Sequence, residues 1–285
     1  MLCFFKEKKS VGKEGESVYS VLMSVYKKEL PQNLRDSVKS MMHQTIPPDD
    51  FVLYCDGKLT DELYLEIERL KQQYPVLNVI YNDVNQGLGI ALATGINYCK
   101  YDIVARMDSD DIAKPDRMKL QLEAFRKHNA DIVSGAIDEF SEDISNVTCT
   151  KHLPESDDEI KQYAKRRNPF NHPCVSFRKQ QVYLAGNYEH CPFFEDYWLW
   201  VRMLKNGCKG YNVQESVLYM RCGPEMYKRR GGLRYTSSAL KFRKKMKAAE
   251  FCGYKDYFMS CTGHLILGLI PNKLRMFLYS KILRK

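Results

Sequence analysis

The first half of the chain alternates between short apolar runs and amphipathic segments, and this alternation constrains the fold more than any other feature. Apolar runs at 19–25, 51–55, 77–81 and 102–107 are each followed by hydrophobic residues at helical spacing, and another run follows at 131–135. Short strands separated by helices pair in parallel through right-handed crossovers, and burial on both faces makes such strands apolar throughout. The sequence therefore predicts an α/β domain with a mainly parallel central sheet flanked by helices.

Polar residues follow directly after three of these runs. Tyr26 follows the first run, Asp56 the second, and Asp108, Asp110 and Asp111 the fourth. Ligands of open α/β sheets bind outside the carboxyl ends of the strands, where the loops of neighbouring strands converge. If the three strands are neighbours, these side chains border one binding cleft.

The three aspartates within four residues need a positively charged partner, because carboxylates this close repel one another. Asp108 and Asp110 suit a hard divalent cation, Mn²⁺ or Mg²⁺, whose remaining ligands are phosphate and water. We expect Arg106 to be positioned by these acids. The alternative is that the acids cap the helix that begins near Pro115. The apolar run before them and the amphipathic segment after them favour a metal site.

The alternation stops near residue 140. Residues 175–179 have the composition of a strand that returns to the sheet, and the segment 193–207 is predicted to contain an aromatic helix closed by Gly207. Glu195 and Asp196 come directly before that helix, where carboxylates either cap the helix or take part in proton transfer. The two tryptophans of this helix are predicted to lie in the core.

The net charge of +9 is unevenly distributed along the chain. Residues 226–285 carry 15 lysines and arginines against two acids, whereas residues 1–225 carry 29 against 33. A basic end on a mildly acidic body predicts an anionic partner. The interspersed Phe, Leu, Tyr and Ile favour a helix on an anionic membrane surface over a basic face packed on the domain. Nucleic acid is not expected, because no RNP, zinc-finger or helix-turn-helix pattern occurs.

The sequence also predicts where the protein works. No run approaches the roughly 20 apolar residues of a membrane-spanning helix. The ten cysteines are scattered without a CxxC pair, and the apolar stretch at the N-terminus is too short for a secretory signal. These features predict free thiols in a reducing compartment, and hence a cytoplasmic protein that is peripheral at the membrane.

Eight segments, which run nearly from end to end of the chain, occur in a distinctive order. They are SVLMSVY (20–26), DGKLTDEL (56–63), NQGLGIALATGI (85–96), ARMDSDDIAKPDRMKLQ (105–121), NPFNHPCVSFRK (168–179), AGNY (185–188), FEDYWLWVRMLKNG (194–207) and YKRRGG (227–232). With these segments the chain resembles a family 2 glycosyltransferase of the GT-A fold, of the type that makes bacterial capsules, exopolysaccharides and O-antigens. The resemblance implies a GT-A domain over 1–225, with a nucleotide-binding half at about 17–140 and an acceptor half at about 141–225, and a basic helical extension over 226–285.

The resemblance implies roles for the donor half of the site. Asp56 would contact the nucleotide base, Asp108 the ribose, and Asp110 the metal ion that bridges the diphosphate. Many relatives have two acids at the end of the second strand, whereas this chain has Cys55 at the first of these positions. The other nucleotide-binding residues implied are Tyr26, Arg229 and Arg230.

For the acceptor half, the resemblance implies that Asp196 is the general base for the attacking sugar hydroxyl. Glu195 would orient Asp196 or contact the acceptor, and His172 either lines the acceptor side or is a structural histidine. One base opposite one leaving group implies direct displacement with inversion at the anomeric carbon. The expected donor is a UDP-sugar, and the expected acceptor is a lipid-linked saccharide.

Two other functions are considered. A sugar-1-phosphate nucleotidyltransferase usually has a glycine-rich loop after its first strand, whereas residues 24–33, SVYKKELPQN, contain no glycine. A catalytically inactive basic module that binds membrane or RNA would not need the set of aspartates described above. Both alternatives are disfavoured.

Overall fold

The computed structural model describes residues 18–141, 143–223 and 231–270. Within them, the strands are β1 (Ser20–Val25), β2 (Asp50–Asp56), β3 (Leu77–Asn82), β4 (Ile103–Asp108), β5 (Ile112–Ala113), β6 (Ile132–Phe140), β7 (Val147–Lys151), β8 (Ser176–Arg178) and β9 (Gly210–Arg221). The helices are α1 (Pro31–Met42), α2 (Asp61–Gln73), α3 (Leu88–Gly95), α4 (Arg117–His128), α5 (Asp157–Tyr163), α6 (Lys179–Leu184), α7 (Glu195–Lys205), α8 (Gly232–Ala248) and α9 (Tyr254–Leu269). Short 3₁₀ turns lie at Ile96–Tyr98 and His172–Cys174.

The described strands form one sheet in the order β3-β2-β1-β4-β8-β6-β9-β5, with β7 paired to β6. The first four strands are parallel, as the alternation of apolar runs predicts, and β6 and β9 are parallel to each other. The segment at 175–179 does return to the sheet, where β8 lies antiparallel between β4 and β6. The prediction of a mainly parallel α/β sheet flanked by helices is therefore confirmed.

The core lies on both faces of the sheet. Side chains of α1, α2 and α4 pack with alternate residues of the strands on one face, and α3, α6 and α7 cover the other. Trp200 is completely buried in the second core, edge-on to Phe170, and Trp198 is 6% exposed. The prediction that both tryptophans are core residues is confirmed.

The described part of the C-terminal extension packs on the domain. Phe242 of α8 stacks on Phe194, with 4.7 Å between the ring centroids, and Tyr197, Val201 and Met246 belong to the same buried cluster. Helix α9 packs in turn against α8. None of the helices in the described ranges has the length and apolar character needed to cross a membrane.

Candidate active site

The carboxyl ends of β1, β2 and β4 meet at one edge of the sheet. Ser24 of β1 pairs with Asp108 of β4, and Val25 pairs with Cys55 of β2. Because these three strands are parallel neighbours, the polar residues that follow them converge. Tyr26, directly after β1, is 42% exposed at this edge.

Asp56, at the end of β2, is bound to the loop that leads into α3. Its two carboxylate oxygens accept the backbone N–H groups of Gln86, over 2.8 Å, and Gly87, over 2.9 Å. Gly57 has φ +88°, and a Cβ there would lie 2.8 Å from the backbone nitrogen of Asn85. The geometry therefore makes Asp56 the anchor of this loop, and its contact with a nucleotide base stays a prediction.

Arg106 organises the acids at the end of β4. Its side chain is 1% exposed and forms a two-pronged ion pair with Asp108, in which Nη1 donates over 2.7 Å. Such charge-assisted pairs are strong and fix the orientation of both groups. The Nε of Arg106 has no hydrogen-bond partner among the described residues. Arg106 is positioned by its acidic neighbours, as expected, and Asp108 is held in place by it.

Asp108, Asp110 and Asp111 offer carboxylate oxygens that all lie within 4.8 Å of one another. Asp111 is buried and accepts the backbone N–H of Arg221 over 2.8 Å. The Asp110 carboxylate is the least engaged of the three, since Asp108 binds the Arg106 guanidinium and Asp111 accepts the N–H of Arg221, whereas no other described residue donates to the Asp110 carboxylate.

Burial, together with the charges of Asp108 and Glu29, raises the pKa of Asp110 to about 7. Burial, together with the charges of Asp108 and Asp110, raises the pKa of Asp111 as well. Three hard oxygen donors whose mutual repulsion a cation would relieve are a suitable donor set for Mg²⁺ or Mn²⁺. The alternative that these acids cap a helix is wrong, because β5 follows them and α4 begins only at Arg117.

Glu29, between β1 and α1, is a member of this cluster that the sequence analysis missed. Its Oε2 accepts the Ser109 hydroxyl over 2.6 Å, and its Oε1 accepts the backbone N–H of Leu30 over 2.8 Å. Its position four residues beyond the end of β1 was a usable signal, because the loop after β1 runs along the same sheet edge.

Asp196 approaches the site from α7. The helix begins at Glu195, so both acids lie in its first turn, where free backbone N–H groups and the helix dipole favour negative charge. The Asp196 Oδ2 accepts the side-chain amide of Asn168 over 2.6 Å. Burial raises the pKa of Asp196, whereas the backbone N–H of Tyr197, the Asn168 amide and the charge of Arg106 lower it.

Glu195 lies where α7 meets the N-terminus of α3. A Cβ added at Gly89 would lie 3.0 Å from the Cγ of Glu195, so the absence of a side chain at residue 89 permits this close approach. Burial raises the pKa of Glu195. Phe193, two residues earlier, has φ +71° and is 42% exposed beside these acids.

His172 packs among aromatic rings behind the acids. Its Nε2 lies 3.1 Å from the Tyr188 hydroxyl, and its ring is edge-on to Trp200 at 6.2 Å between centroids. Burial, together with the charge of Arg106, holds the pKa of His172 well below its usual range, so the imidazole is neutral. These contacts agree with the alternative that His172 is a structural histidine. Its contact with the acceptor stays a prediction.

Arg229 and Arg230 lie outside the described residues, so their predicted contact with the nucleotide stays a prediction. Earlier in the chain, the end of β9 does contact the acidic cluster. Arg221, at the end of β9, donates its Nε to the backbone carbonyl of Asp110 over 3.1 Å.

The buried guanidinium of Arg106 lies between the aspartate cluster and Asp196. Arg106 binds Asp108 directly, and its positive charge also lowers the pKa of Asp196 and of Tyr188. The site therefore combines a cluster suited to a metal and phosphate with a separate, oriented carboxylate that could accept a proton.

Comparison with known proteins agrees with this arrangement. Residues 20–184 match the family described as glycosyl transferase family 2. The chain is 34% identical over 268 residues, 94% of its length, to a UDP-Gal:alpha-D-GlcNAc-diphosphoundecaprenol beta-1,3-galactosyltransferase from Escherichia coli, of which 97% is covered. It is 36% identical over 265 residues, 93% of its length, to the amylovoran biosynthesis glycosyltransferase AmsE from Erwinia amylovora, of which 98% is covered.

A solved structure with a similar fold is the mannosyltransferase from Pyrobaculum calidifontis in complex with GDP-Man and Mn²⁺. It superposes with a TM-score of 0.64 at 13% identity, covering 92% of this chain and 79% of the mannosyltransferase. This likeness supports the glycosyltransferase fold, and the sequence matches support the family. The chain belongs to glycosyltransferase family 2.

Proposed function

We propose that this glycosyltransferase moves a hexose from a UDP-sugar to a sugar hydroxyl of a lipid-linked acceptor in surface polysaccharide synthesis, with inversion at the anomeric carbon. The observation that carries the proposal is the combination, in one site, of the Asp108–Asp111 cluster with the separate carboxylate of Asp196. The Escherichia coli relative, named for UDP-Gal and an undecaprenol-linked GlcNAc diphosphate, supports these classes of donor and acceptor.

On the donor side, Asp110 with Asp108 or Asp111 would hold Mn²⁺ or Mg²⁺. A divalent cation there offsets the negative charge that develops on the departing diphosphate. Arg106 keeps the Asp108 carboxylate in one orientation toward the cleft. Arg229 and Arg230 follow β9 in the sequence, eight and nine residues beyond Arg221, and we assign both to the diphosphate.

On the acceptor side, Asp196 takes the proton of the attacking hydroxyl. The acceptor oxygen forms a bond to the anomeric carbon while the bond from that carbon to the diphosphate oxygen breaks, and the electron pair leaves with the nucleotide. Attack opposite the leaving group converts an α-linked donor into a β-linked product. Asn168 donates to Oδ2 of the Asp196 carboxylate, and we assign the acceptor's proton to Oδ1.

The decisive experiment uses UDP-galactose, Mn²⁺ and a short-chain lipid carrying an N-acetylglucosamine diphosphate. Wild type should release UDP and form a β-linked disaccharide. Asp196→Asn should retain UDP-galactose binding by calorimetry while transfer falls by on the order of 10³-fold, because the base is lost without removal of a donor contact. A large loss of donor affinity in this variant would reassign Asp196 to the nucleotide.

We also propose that the C-terminal helices rest on the anionic cytoplasmic face of the membrane. On α9, Tyr254, Phe258, Met259, Leu265 and Ile266 are exposed, and helical spacing places them on one side. Lysines flank this side, since Lys255 is exposed beside Tyr254 and the Nζ of Lys247 lies 4.1 Å from the centre of the Tyr254 ring. Apolar side chains bordered by lysine suit an anionic interface.

The membrane proposal is tested by sedimentation with vesicles containing phosphatidylglycerol. Phe258→Asp combined with Ile266→Asp should release the protein, whereas Leu65→Asp, at a similarly exposed leucine on α2, should not. Unchanged sedimentation of the double variant would exclude this face as the membrane contact.

The two alternative functions, a sugar-1-phosphate nucleotidyltransferase and an inactive binding module, are not supported by the family that the chain matches.

A further inference from the structure

Asn168 is the side chain that holds Asp196 in place. Its Nδ2 donates to Oδ2 of Asp196 over 2.6 Å, although the two residues are 28 positions apart. The Oδ1 of Asn168 faces the backbone N–H of Phe170 at 3.4 Å, which defines which end of the amide points to Asp196. An amide held in this way can donate to a carboxylate and orient it.

The segment that carries Asn168 is tied to the C-terminal helices by Arg243 of α8. The Nη2 of Arg243 donates to the carbonyl of Arg166 over 2.6 Å, two residues before Asn168. Its Nη1 lies 3.3 Å from the hydroxyl of Tyr197, the residue after Asp196. Arg243 therefore contacts both of the segments that carry the Asn168–Asp196 pair.

Further contacts connect the segment before Asn168 to α7 and to the C-terminal helices. The Tyr197 hydroxyl donates to the carbonyl of Ala164 over 2.7 Å, which joins α7 to the segment after α5. Arg166 also pairs with Asp256 of α9 over 2.6 Å. Both C-terminal helices thus hold the 164–168 segment.

Arg243 is an unusual residue for a purely structural position. It is 3% exposed, and no carboxylate of the described residues lies within ion-pair distance of its guanidinium. Burial of an unpaired guanidinium is costly unless hydrogen bonds satisfy it. Its donors meet the Arg166 carbonyl, the Tyr197 hydroxyl and the His264 Nε2, the last at 3.3 Å.

We propose that Asn168 and Arg243 are positioning residues for Asp196, in which Asn168 orients the carboxylate and Arg243 holds together the two segments that carry the pair. The inference rests on the proposed function, because it assumes that Asp196 accepts the acceptor's proton. It gives the C-terminal helices a role in the reaction that is separate from attachment to a membrane.

The charged and titratable groups around Asp196 determine how this can be measured. Arg106 faces it from β4, Tyr188 and Cys191 from the segment before α7, and Glu195 from its own helix. Burial raises the pKa of Asp196, and the Asn168 amide is one of the groups that lower it. Loss of the amide should raise this pKa further, so the acidic limb of the kcat profile should move to higher pH.

The experiment measures kcat and the donor KM against pH for wild type, Asn168→Ala and the isosteric Asn168→Asp. We expect the acidic limb of the kcat profile of Asn168→Ala to move up by about one pH unit, because one hydrogen bond to a charged group is lost. The donor KM should be unchanged. Asn168→Asp should move it further, because it places a second carboxylate at the same distance. A limb that stays at the wild-type pH in folded protein overturns the proposal.

A double-variant test separates Arg243 from a general effect on folding. The loss of kcat in Asn168→Ala with Arg243→Met should be smaller than the product of the two single losses, because both act through Asp196. Arg178→Met is the control: Arg178 also donates to a carbonyl, that of Ala130 over 3.2 Å, at the opposite edge of the sheet. The loss of kcat caused by Arg178→Met should multiply with the loss caused by Asn168→Ala. Multiplicative losses for Arg243 would remove it from the proposal.

Should Arg243→Met not fold, Arg243→Lys retains the charge and lacks the forked donors, and the same non-additivity is expected. The assay also includes Asp196→Asn. If that variant transfers sugar normally, the proposed function fails. If it is inactive while the Asn168 variants keep the wild-type limb, only the positioning role fails.

Discussion

The proposed donor and acceptor halves of the site are built in different ways. The aspartate cluster of the donor half is local, since Asp108, Asp110 and Asp111 come from a single strand end and Arg106 from the same strand. The acceptor half is assembled from distant parts of the chain, because Asp196 depends on Asn168 and both are held by Arg243. Asp196 and the cluster can both be identified from sequence motifs, whereas the partners of Asp196 are brought to it only when the chain folds.

The two halves also differ in what their charges need. Burial and the charges of neighbouring acids raise the pKa of Asp110 to about 7, so a bound cation would relieve the strongest repulsion in the site. Asp196 already has its partners within the protein, in the Asn168 amide and the first turn of α7. The first half therefore needs a cation to offset its charge, whereas the second is completed by groups of the protein itself.

The largest expected effect follows from removing the charge of Asp110. Asp110→Asn should reduce transfer by on the order of 10³-fold, because the least engaged carboxylate of the cluster is lost. In the absence of metal the same variant should not be less stable than wild type. Added Mn²⁺ should raise the melting temperature of wild type and leave that of the variant nearly unchanged.

The pH dependence of stability sharpens this prediction. The folded-state pKa of Asp110 lies above that of the unfolded chain, so the folded protein binds the proton more tightly. Its contribution to the free energy of unfolding is therefore lost as pH rises from about 4 to about 7. Metal-free Asp110→Asn should lack this loss, whereas Asp61→Asn, at an exposed position on α2, should behave as wild type. A variant that melts like wild type across this range would contradict the raised pKa.

Much of the fold could be predicted because its signal is local. The alternation up to residue 135 identified β1 to β4, β6 and the helices between them. Strand β9 was not predicted, since Gln214 and Glu215 interrupt its apolar residues and its pairing with β6 shifts register at Ala136. A strand with such irregular pairing does not show the periodicity on which the prediction rests.

The site could be predicted only where a residue's role follows from its own neighbours. The aspartates and Asp196 lie in recognisable motifs, but the Asn168 amide reveals nothing until α7 lies beside it. Arg243 is harder still, because in a segment with 15 basic residues a buried guanidinium looks like a solvated one. Burial, which decides the chemistry of such a group, is a tertiary property.

Arg106 joins the two halves, so its removal tests whether they are independent. Arg106→Met should cost about 1–3 kcal/mol in the free energy of unfolding, because it leaves the partly exposed Asp108 without its ion-pair partner. Adding Asp108→Asn should restore much of the stability while transfer stays low. Urea unfolding measures the first effect and the UDP-release assay the second. Full recovery of transfer in the double variant would mean that Arg106 serves the fold alone.

The smallest effect on kcat is expected at the contact between α3 and Glu195 of α7, where no hydrogen bond is involved. Gly89→Ala would bring a Cβ to 3.0 Å from the Cγ of Glu195, so α3 and α7 must separate by a few tenths of an ångström. Because misplacement by 1 Å costs about 10²-fold, this shift should reduce kcat by roughly 10-fold or less. Gly263→Ala on α9, where a Cβ meets no atom within 4 Å, is the control and should leave kcat unchanged. Equal activity of the two variants would show that the spacing of the halves is set by Asp196 and its partners rather than by the contact of α3 with Glu195.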